Sequence, residues 1–211
     1  MTRTVAVTGA AGFIGRWVVD ELLERGYHVH GLDNLSNGSR RNIAGFEDSE
    51  AFELTVGDVA DRDIVSELIT DGTDACIHLA AEIDVQESLD DPQSHFEANV
   101  NGTERVLEAC RETDTRLGLV GTCMVYDMVD SEDGIDESHP VKPASPYAGT
   151  KLAAENLAES YYHGYDLPVT ILRPFNTYGP YQKTGMAGGV VSIFTSRDIE
   201  GEPLKIFGDG T

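Results

Sequence analysis

Long apolar runs are missing from this sequence. Hydrophobic residues make up 40% of its 211 positions, yet no stretch approaches the ~20 consecutive apolar residues that span a bilayer. The chain runs from Met1 straight into Thr4-Val5-Ala6-Val7-Thr8, without the charged, apolar and small-residue regions of a secretory signal. Cysteine is sparse: Cys76, Cys110 and Cys123 are odd in number, far apart and set in apolar or helical surroundings. They read as reduced, buried thiols of a cytoplasmic protein, not as a disulfide framework. Lysine is scarce as well, confined to Lys142, Lys151, Lys183 and Lys205. Lys+Arg total 15 against 37 Asp+Glu, a formal net charge of -22. A phosphate backbone attracts basic surfaces, so no nucleic-acid partner is expected. Self-repulsion on this scale opposes a compact state unless salt screens it. The charge fits either an ordinary acidic cytoplasmic protein or a halophilic one.

What is present is an alternation of β-branched runs with helical periodicity. Residues 4–8, 28–33, 52–56, 75–79, 117–120, 169–172 and 204–206 read as strands. Between them, Ile14, Val18 and Leu22 recur every fourth residue, widened by Val19 and Leu23. Ile64, Val65, Leu68 and Ile69 form a second face, with Asp61 placed to cap it. Pro92 opens a third helix carrying Val100, Val106, Leu107 and Cys110, and Pro146 opens a fourth carrying Leu152, Ala153 and Leu157. The alternation predicts an α/β fold, a doubly wound, Rossmann-like parallel sheet of about seven strands with helices on both faces. Two stretches interrupt it: the acidic residues 127–145, and residues 175–189, rich in Gly, Tyr and Pro. The second is too long for an ordinary connection and is a functional candidate. Gly208-Asp209-Gly210-Thr211 reads as a turn, so more chain is expected beyond it. The expected division is a dinucleotide-binding domain over residues 1–174 and the start of a truncated substrate-binding lobe over 175–211.

The first strand leads directly into Gly9-Ala10-Ala11-Gly12-Phe13-Ile14-Gly15, which opens the first helix. Glycines there permit a tight turn and let a pyrophosphate approach backbone N–H groups at the positive end of the helix. A glycine triplet alone is a weak signal, but here it has the strand–turn–helix context. Asp33 ends the second strand, where a carboxylate accepts hydrogen bonds from the adenosine ribose. Its charge would repel a ribose phosphate, which favours NAD over NADP. Arg40 and Arg41 nearby read as solvated residues at a helix start.

Tyr147 and Lys151 are four apart and share one helix face. A phenol ionises near ~10, too high for a base at neutral pH, and a neighbouring ammonium at a helix N-terminus should lower it. Thr122 follows the fifth strand at the carboxyl edge of the sheet, where ligands bind in such folds. Its hydroxyl can hydrogen-bond a substrate oxygen while Tyr147 takes or returns a proton.

Those features, with Gly57-Asp58-Val59, His78-Leu79-Ala80-Ala81, Asn99-Val100-Asn101-Gly102-Thr103 and Arg173-Pro174-Phe175-Asn176-Thr177-Tyr178-Gly179-Pro180, resemble the NAD-dependent epimerase/dehydratase family, extended short-chain dehydrogenases/reductases. Order and spacing match from Val5 to the last residue. The resemblance implies NAD as cofactor and a nucleoside-diphosphate sugar as substrate, converted through a transient keto-sugar. It implies cofactor contacts from Gly9, Gly12, Phe13, Ile14, Gly15, Asp33, Asn34, Asp58, Val59, Leu79, Ala80, Ala81, Asn99, Tyr147, Lys151 and Pro174. Thr122, Tyr147 and Lys151 would be catalytic, and Thr122, Tyr147 and Asn176 would meet the substrate. Homodimers formed through the longer helices are common in that family. The chain departs from it at Gly121, where serine is usual and glycine should be tolerable, and at Asp127, where glycine is usual. The related 4,6-dehydratases carry an Asp-Glu pair directly after the catalytic threonine, whereas this chain has Cys123 and Met124. That favours a 4-epimerase over a 4,6-dehydratase; a decarboxylase of the same family is a further alternative. A non-catalytic NAD-binding module is the reading from another class. His28 and His30 share a strand face but lack a third ligand, so no metal is expected. His78 reads as a satisfied core histidine, and Tyr161, Tyr162 and Tyr165 as core or rim.

Overall fold

The computed structural model describes residues 3–127, 134–183, 189–206 and 208. Residues 128–133 of the acidic stretch, 184–188 of the Gly/Tyr/Pro-rich stretch and 209–211 of the terminal turn lie outside the described residues. The chain divides into two compact units, Met1–Pro174 and Phe175–Thr211.

In the first unit the strands are β1 (Thr4–Thr8), β2 (His28–Asp33), β3 (Phe52–Val56), β4 (Ala75–His78), β5 (Arg116–Val120) and β6 (Val169–Leu172). They form one sheet in the order β3-β2-β1-β4-β5-β6, every pairing parallel. The chain winds outward from β1 to β3, crosses back, and continues through β4 on the other side of β1. That reversal beside β1 opens a crevice at the carboxyl edge. The register pairs Thr8 with Leu32 and with His78, and Val120 with Leu172, so the functional loops leave from one edge.

Helices cover the two faces unequally. On one face lie α1 (Phe13–Glu24) and α2 (Arg40–Ile43), around Val5, Val7, Val19, Val29, Ile43, Phe46 and Phe52. On the other, α3 (Arg62–Leu68), α6 (Gly102–Glu112) and α7 (Pro146–Tyr165) enclose Leu32, Val65, Leu68, Cys76, Val106, Leu107, Leu119 and Ala158. Cys76 and Cys110 are free and buried there. Asp61 caps α3 by accepting from the Asp63 and Ile64 amides. In α1 the buried positions are Gly15, Arg16 and Val19, while Val18 and Leu22 pack at the margin. The helix is turned by the close approach of Gly15 to the preceding glycine turn.

The helix expected from Pro92 is composite. After α4 (Val85–Asp90), α5 (Pro92–Phe96) passes through a π-helical turn, Glu97–Asn101, into α6. Such wide turns inside helices recur at functional sites, and this one contains Asn99. Among the described residues there are six strands, not seven. Residues 204–206 are irregular, with Leu204 47% and Ile206 65% exposed. Three alternating residues with two exposed apolar side chains bury too little to make a strand. In the second unit, α8 (Val190–Glu200) ends at Gly201 in the left-handed conformation, φ 71°. No helix among the described residues is long and apolar enough to cross a membrane.

Candidate active site

The glycine turn is sterically compulsory. Gly9 has φ +71°, and a Cβ there would stand 2.8 Å from the Ala80 amide nitrogen. A Cβ on Gly15 would fall 1.9 Å from the Gly9 carbonyl oxygen, so strand, turn and helix can close only with glycine. Gly12 is the N-cap of α1 and supplies no side-chain cap. The first turn, with Phe13 and Ile14, is left to an external acceptor. The cradle fits a pyrophosphate: side-chain volume is absent where a Cβ would stand, and the helix end is uncapped.

Asp33 is 5% exposed and organises this turn. Its carboxylate accepts from the Ala11 amide at 2.9 Å and the Leu35 amide at 2.8 Å. Burial raises its carboxyl above the ordinary value, against the pull of those amides and of the Gly12 amide. Gly38 leaves the room, since a Cβ there would be 2.6 Å from an Asp33 oxygen. The Asn34 amide donates to Asp58 at 3.0 Å, and Asp58 also accepts from the Ala60 amide. Val59 is buried against Gly102.

The loop after β4 is fixed by polar contacts. Thr8 Oγ1 accepts from the Leu79 and Ala80 amides, at 3.2 and 3.1 Å, and so donates its own proton to His78 Nδ1 at 2.6 Å. His78 Nε2 meets Thr103 Oγ1 at 3.1 Å, and Thr103 donates to the Asn99 carbonyl. This pattern assigns a neutral imidazole protonated on Nε2. Burial, with a smaller contribution from Lys151, pulls its pKa from 6.5 to about 3. Asn99 grips the residue after Ala81 from both sides: its Oδ1 accepts from the Glu82 amide, and its Nδ2 donates to the Glu82 carbonyl. The same Nδ2 donates to Thr150 Oγ1 at 3.0 Å, which ties the π-helical turn to α7.

Thr122, Tyr147 and Lys151 are 6%, 8% and 5% exposed, and all three belong to the first unit. Ser145 caps α7 through the Ala148 amide, and Pro146 opens it. Thr122 follows β5 and accepts from the Met124 amide, and its hydroxyl opposes the effect of burial on the Tyr147 phenol. Lys151 Nζ donates to the Val120 carbonyl at 2.7 Å. Burial lowers Lys151 to about 8, with Glu155 opposing. The expected lowering of Tyr147 by Lys151 is not found. Burial raises the phenol, Thr122 opposes, and Cys123 adds to the rise. The ammonium is bound to the Val120 carbonyl instead. His95 is fully buried, its ring 6.4 Å from that of Tyr147 in an edge-on contact. Pro174 accepts from the Cys123 amide at 3.2 Å. Asn176 is exposed and belongs to the second unit.

Sequence reasoning passed over Glu155, which is 2% exposed. Its Oε2 accepts from Arg173 Nε and Nη2, at 2.9 and 2.8 Å. The available signal was its position one turn beyond Lys151. It also gives glycine at position 121 a physical reason, because a Cβ there would lie 2.0 Å from Glu155 Oε1. Serine would require the buried carboxylate to move. Among the described residues no group of three or more His, Cys, Asp or Glu side chains is arranged to hold a metal ion.

The model of the NAD dependent epimerase/dehydratase family matches residues 5–211. The UDP-glucose 4-epimerase of Mycolicibacterium smegmatis is 40% identical, over 97% of this chain and 66% of that protein. Pal from Bacillus thuringiensis superposes with a TM-score of 0.93 at 48% identity, over 98% of this chain and 67% of that one. The DesIV double mutant, a dTDP-glucose 4,6-dehydratase of Streptomyces venezuelae solved with NAD and DAU bound, gives 0.89 at 34% identity, over 98% and 65%. The chain thus spans about two thirds of the length of such relatives.

Proposed function

Because this chain belongs to the NAD-dependent epimerase/dehydratase family, we propose that the protein is a nucleotide-sugar 4-epimerase working through a transient keto-sugar. The observation that carries this reading is the buried trio of Thr122, Tyr147 and Lys151 at the carboxyl edge, with no carboxylate pair beside it. NAD, which fits the glycine cradle, supplies a reversible hydride acceptor when bound. Gly9, Gly12, Phe13, Ile14 and Gly15 would hold its pyrophosphate, and Asp33 and Asn34 its ribose. Asp58 and Val59 would flank the adenine. Leu79, Ala80, Ala81 and Pro174 would line the nicotinamide end, with Asn99 fixing that loop.

With NAD bound, the Tyr147 phenolate would be favoured by the positive nicotinamide ring, and its Oη would take the proton from the sugar hydroxyl and return it once the opposite face of the ketone is presented. Thr122 donates to the same oxygen and keeps the phenol oriented. Lys151 supplies positive charge and a donor toward the nicotinamide ribose. Its anchor on the Val120 carbonyl sets the reach of the ammonium. Asn176 would contact the diphosphate. The whole protein would act in the cytoplasm, on a nucleoside-diphosphate sugar, as a homodimer.

The likeness to a dTDP-glucose 4,6-dehydratase favours a second reading. Dehydration needs an additional acid and base. Met124 cannot transfer protons, and burial raises the Cys123 thiol. The nearby carboxylates are engaged elsewhere: Glu82 accepts from Asn37, and Asp84 caps α4 through the Glu87 amide. Incubating the full-length protein with NAD and a panel of nucleotide sugars, and weighing the products, tests the choice. Epimerisation leaves the mass unchanged with altered ring stereochemistry. A product lighter by one water would establish the dehydratase instead.

A further inference from the structure

We propose that Glu155 is a positioning residue of the active site, which holds Lys151 as an ammonium through a buried charge chain running Lys151–Glu155–Arg173. The proposal deepens the reading of Lys151 as part of the active site. Glu155 lies one turn beyond Lys151 on α7, so the two share a face. Both are buried, at 2% and 5% exposure. A buried carboxylate needs paired charge and hydrogen bonds to stay ionised. Arg173 supplies both, but only to Oε2. Oε1 is buried without a hydrogen-bond partner among the described residues. It fills the space that Gly121 leaves open directly beneath Thr122, since a Cβ there would lie 2.0 Å away. This oxygen is therefore uncommitted and lies beside Gly121, next in the chain to the Val120 carbonyl that anchors Lys151.

Among the described residues no carboxylate is hydrogen-bonded to Lys151; Nζ donates to the neutral Val120 carbonyl. Tyr147 and Glu155 share its face of α7, one turn to either side; His78 on β4 feels its charge, Cys123 after β5 acts on Tyr147, and Arg173 after β6 lies beyond Glu155. His78 is held neutral, and burial raises Tyr147 and Cys123, which keeps them protonated at neutral pH. Glu155 is thus the group that offsets burial and leaves Lys151 titrating at about 8. Arg173 acts in the other sense by sharing the carboxylate, and its guanidinium also stacks over Tyr126, 4.8 Å from the ring centroid. A purely mechanical ion pair between α7 and the end of β6 would affect stability and leave the Lys151 titration where it is.

The test is the titration of Lys151 in the full-length protein, followed by the NMR signals of isotopically labelled lysine and assigned with Lys151→Arg. Glu155→Gln should lower the midpoint by about one pH unit or more, because burial is then unopposed. Arg173→Gln, which leaves Glu155 to act on Lys151 alone, should raise it. The opposite sign decides the matter even if Glu155→Gln does not fold. The alkaline limb of turnover against pH should move to lower pH in Glu155→Gln, since the ammonium is lost at lower pH. An unmoved midpoint in Glu155→Gln, or a midpoint that falls or stays put in Arg173→Gln, would overturn the proposal. A midpoint that moves as stated while the turnover limb stays fixed supports the charge chain and counts against Lys151 in the chemistry.

Discussion

Removing the Asp33 carboxylate should injure stability and cofactor choice by separate routes. Asp33→Ala strips the acceptor from the Ala11 and Leu35 amides, which it now receives at 2.9 and 2.8 Å. Each abandoned buried donor costs ~1–3 kcal/mol. The carboxylate itself is held against desolvation, which is why its pKa is raised, and its removal returns part of that cost. A net loss of about 2–3 kcal/mol follows, or about 4–12 °C in melting temperature for a chain of this size. Asp33→Asn keeps the volume and one acceptor oxygen but turns an N–H toward the other amide, so roughly half the loss remains. Thermal unfolding without added cofactor measures this part. The second part is binding: the unaltered chain should take NAD(H) more tightly than NADP(H), and Asp33→Ala should narrow the gap. Calorimetric titration reads it. Unchanged melting of Asp33→Ala would refute the stapling role, and tighter NADP(H) binding to the unaltered chain would refute the ribose role.

Three further expectations concern the chain as a folded body. Gly15→Ala drives a methyl into the Gly9 carbonyl and should cost on the order of 3 kcal/mol in chemical unfolding. Gly164→Ala, with nothing within 4 Å, should gain about 0.5 kcal/mol. His78 is depressed from 6.5 to about 3 in the folded state, so its contribution is whole above 6.5 and lost as pH falls toward 3. Between about pH 7 and about pH 5, stability should decline more steeply, by up to ~1.4 kcal/mol per pH unit, in the wild type than in His78→Gln. The net charge of -22 should make the melting temperature rise from low to molar potassium chloride, and a flat curve would point to an ordinary acidic protein.

Much of the fold was legible because its signals are local. Short apolar runs bounded by turn residues announce strands, and β1, β2, β3 and β6 have the bounds read from the sequence. The glycine turn was legible because few junctions need three close glycines. Residues 204–206 misled because alternation marks a candidate strand but says nothing of a partner. The π-helical turn at Glu97–Asn101 was hidden, since it follows from Asn99 reaching Glu82 and Thr150, contacts distant in sequence. Glu155 was hidden for the same reason, its partner Arg173 lying 18 residues away. The effect of Lys151 on Tyr147 was misjudged because spacing puts two side chains on one face without fixing where their ends point. Lys151 ends on Val120.

The proposed chemistry moves one hydrogen out and back at a single carbon, and isotope retention reads that directly. The full-length protein, incubated with NAD and a nucleoside-diphosphate sugar deuterated at C4, should yield a product inverted at C4 that keeps the deuterium there, with no water lost. Deuterium washed out to solvent or moved to another carbon, or loss of water from the sugar, would contradict the account.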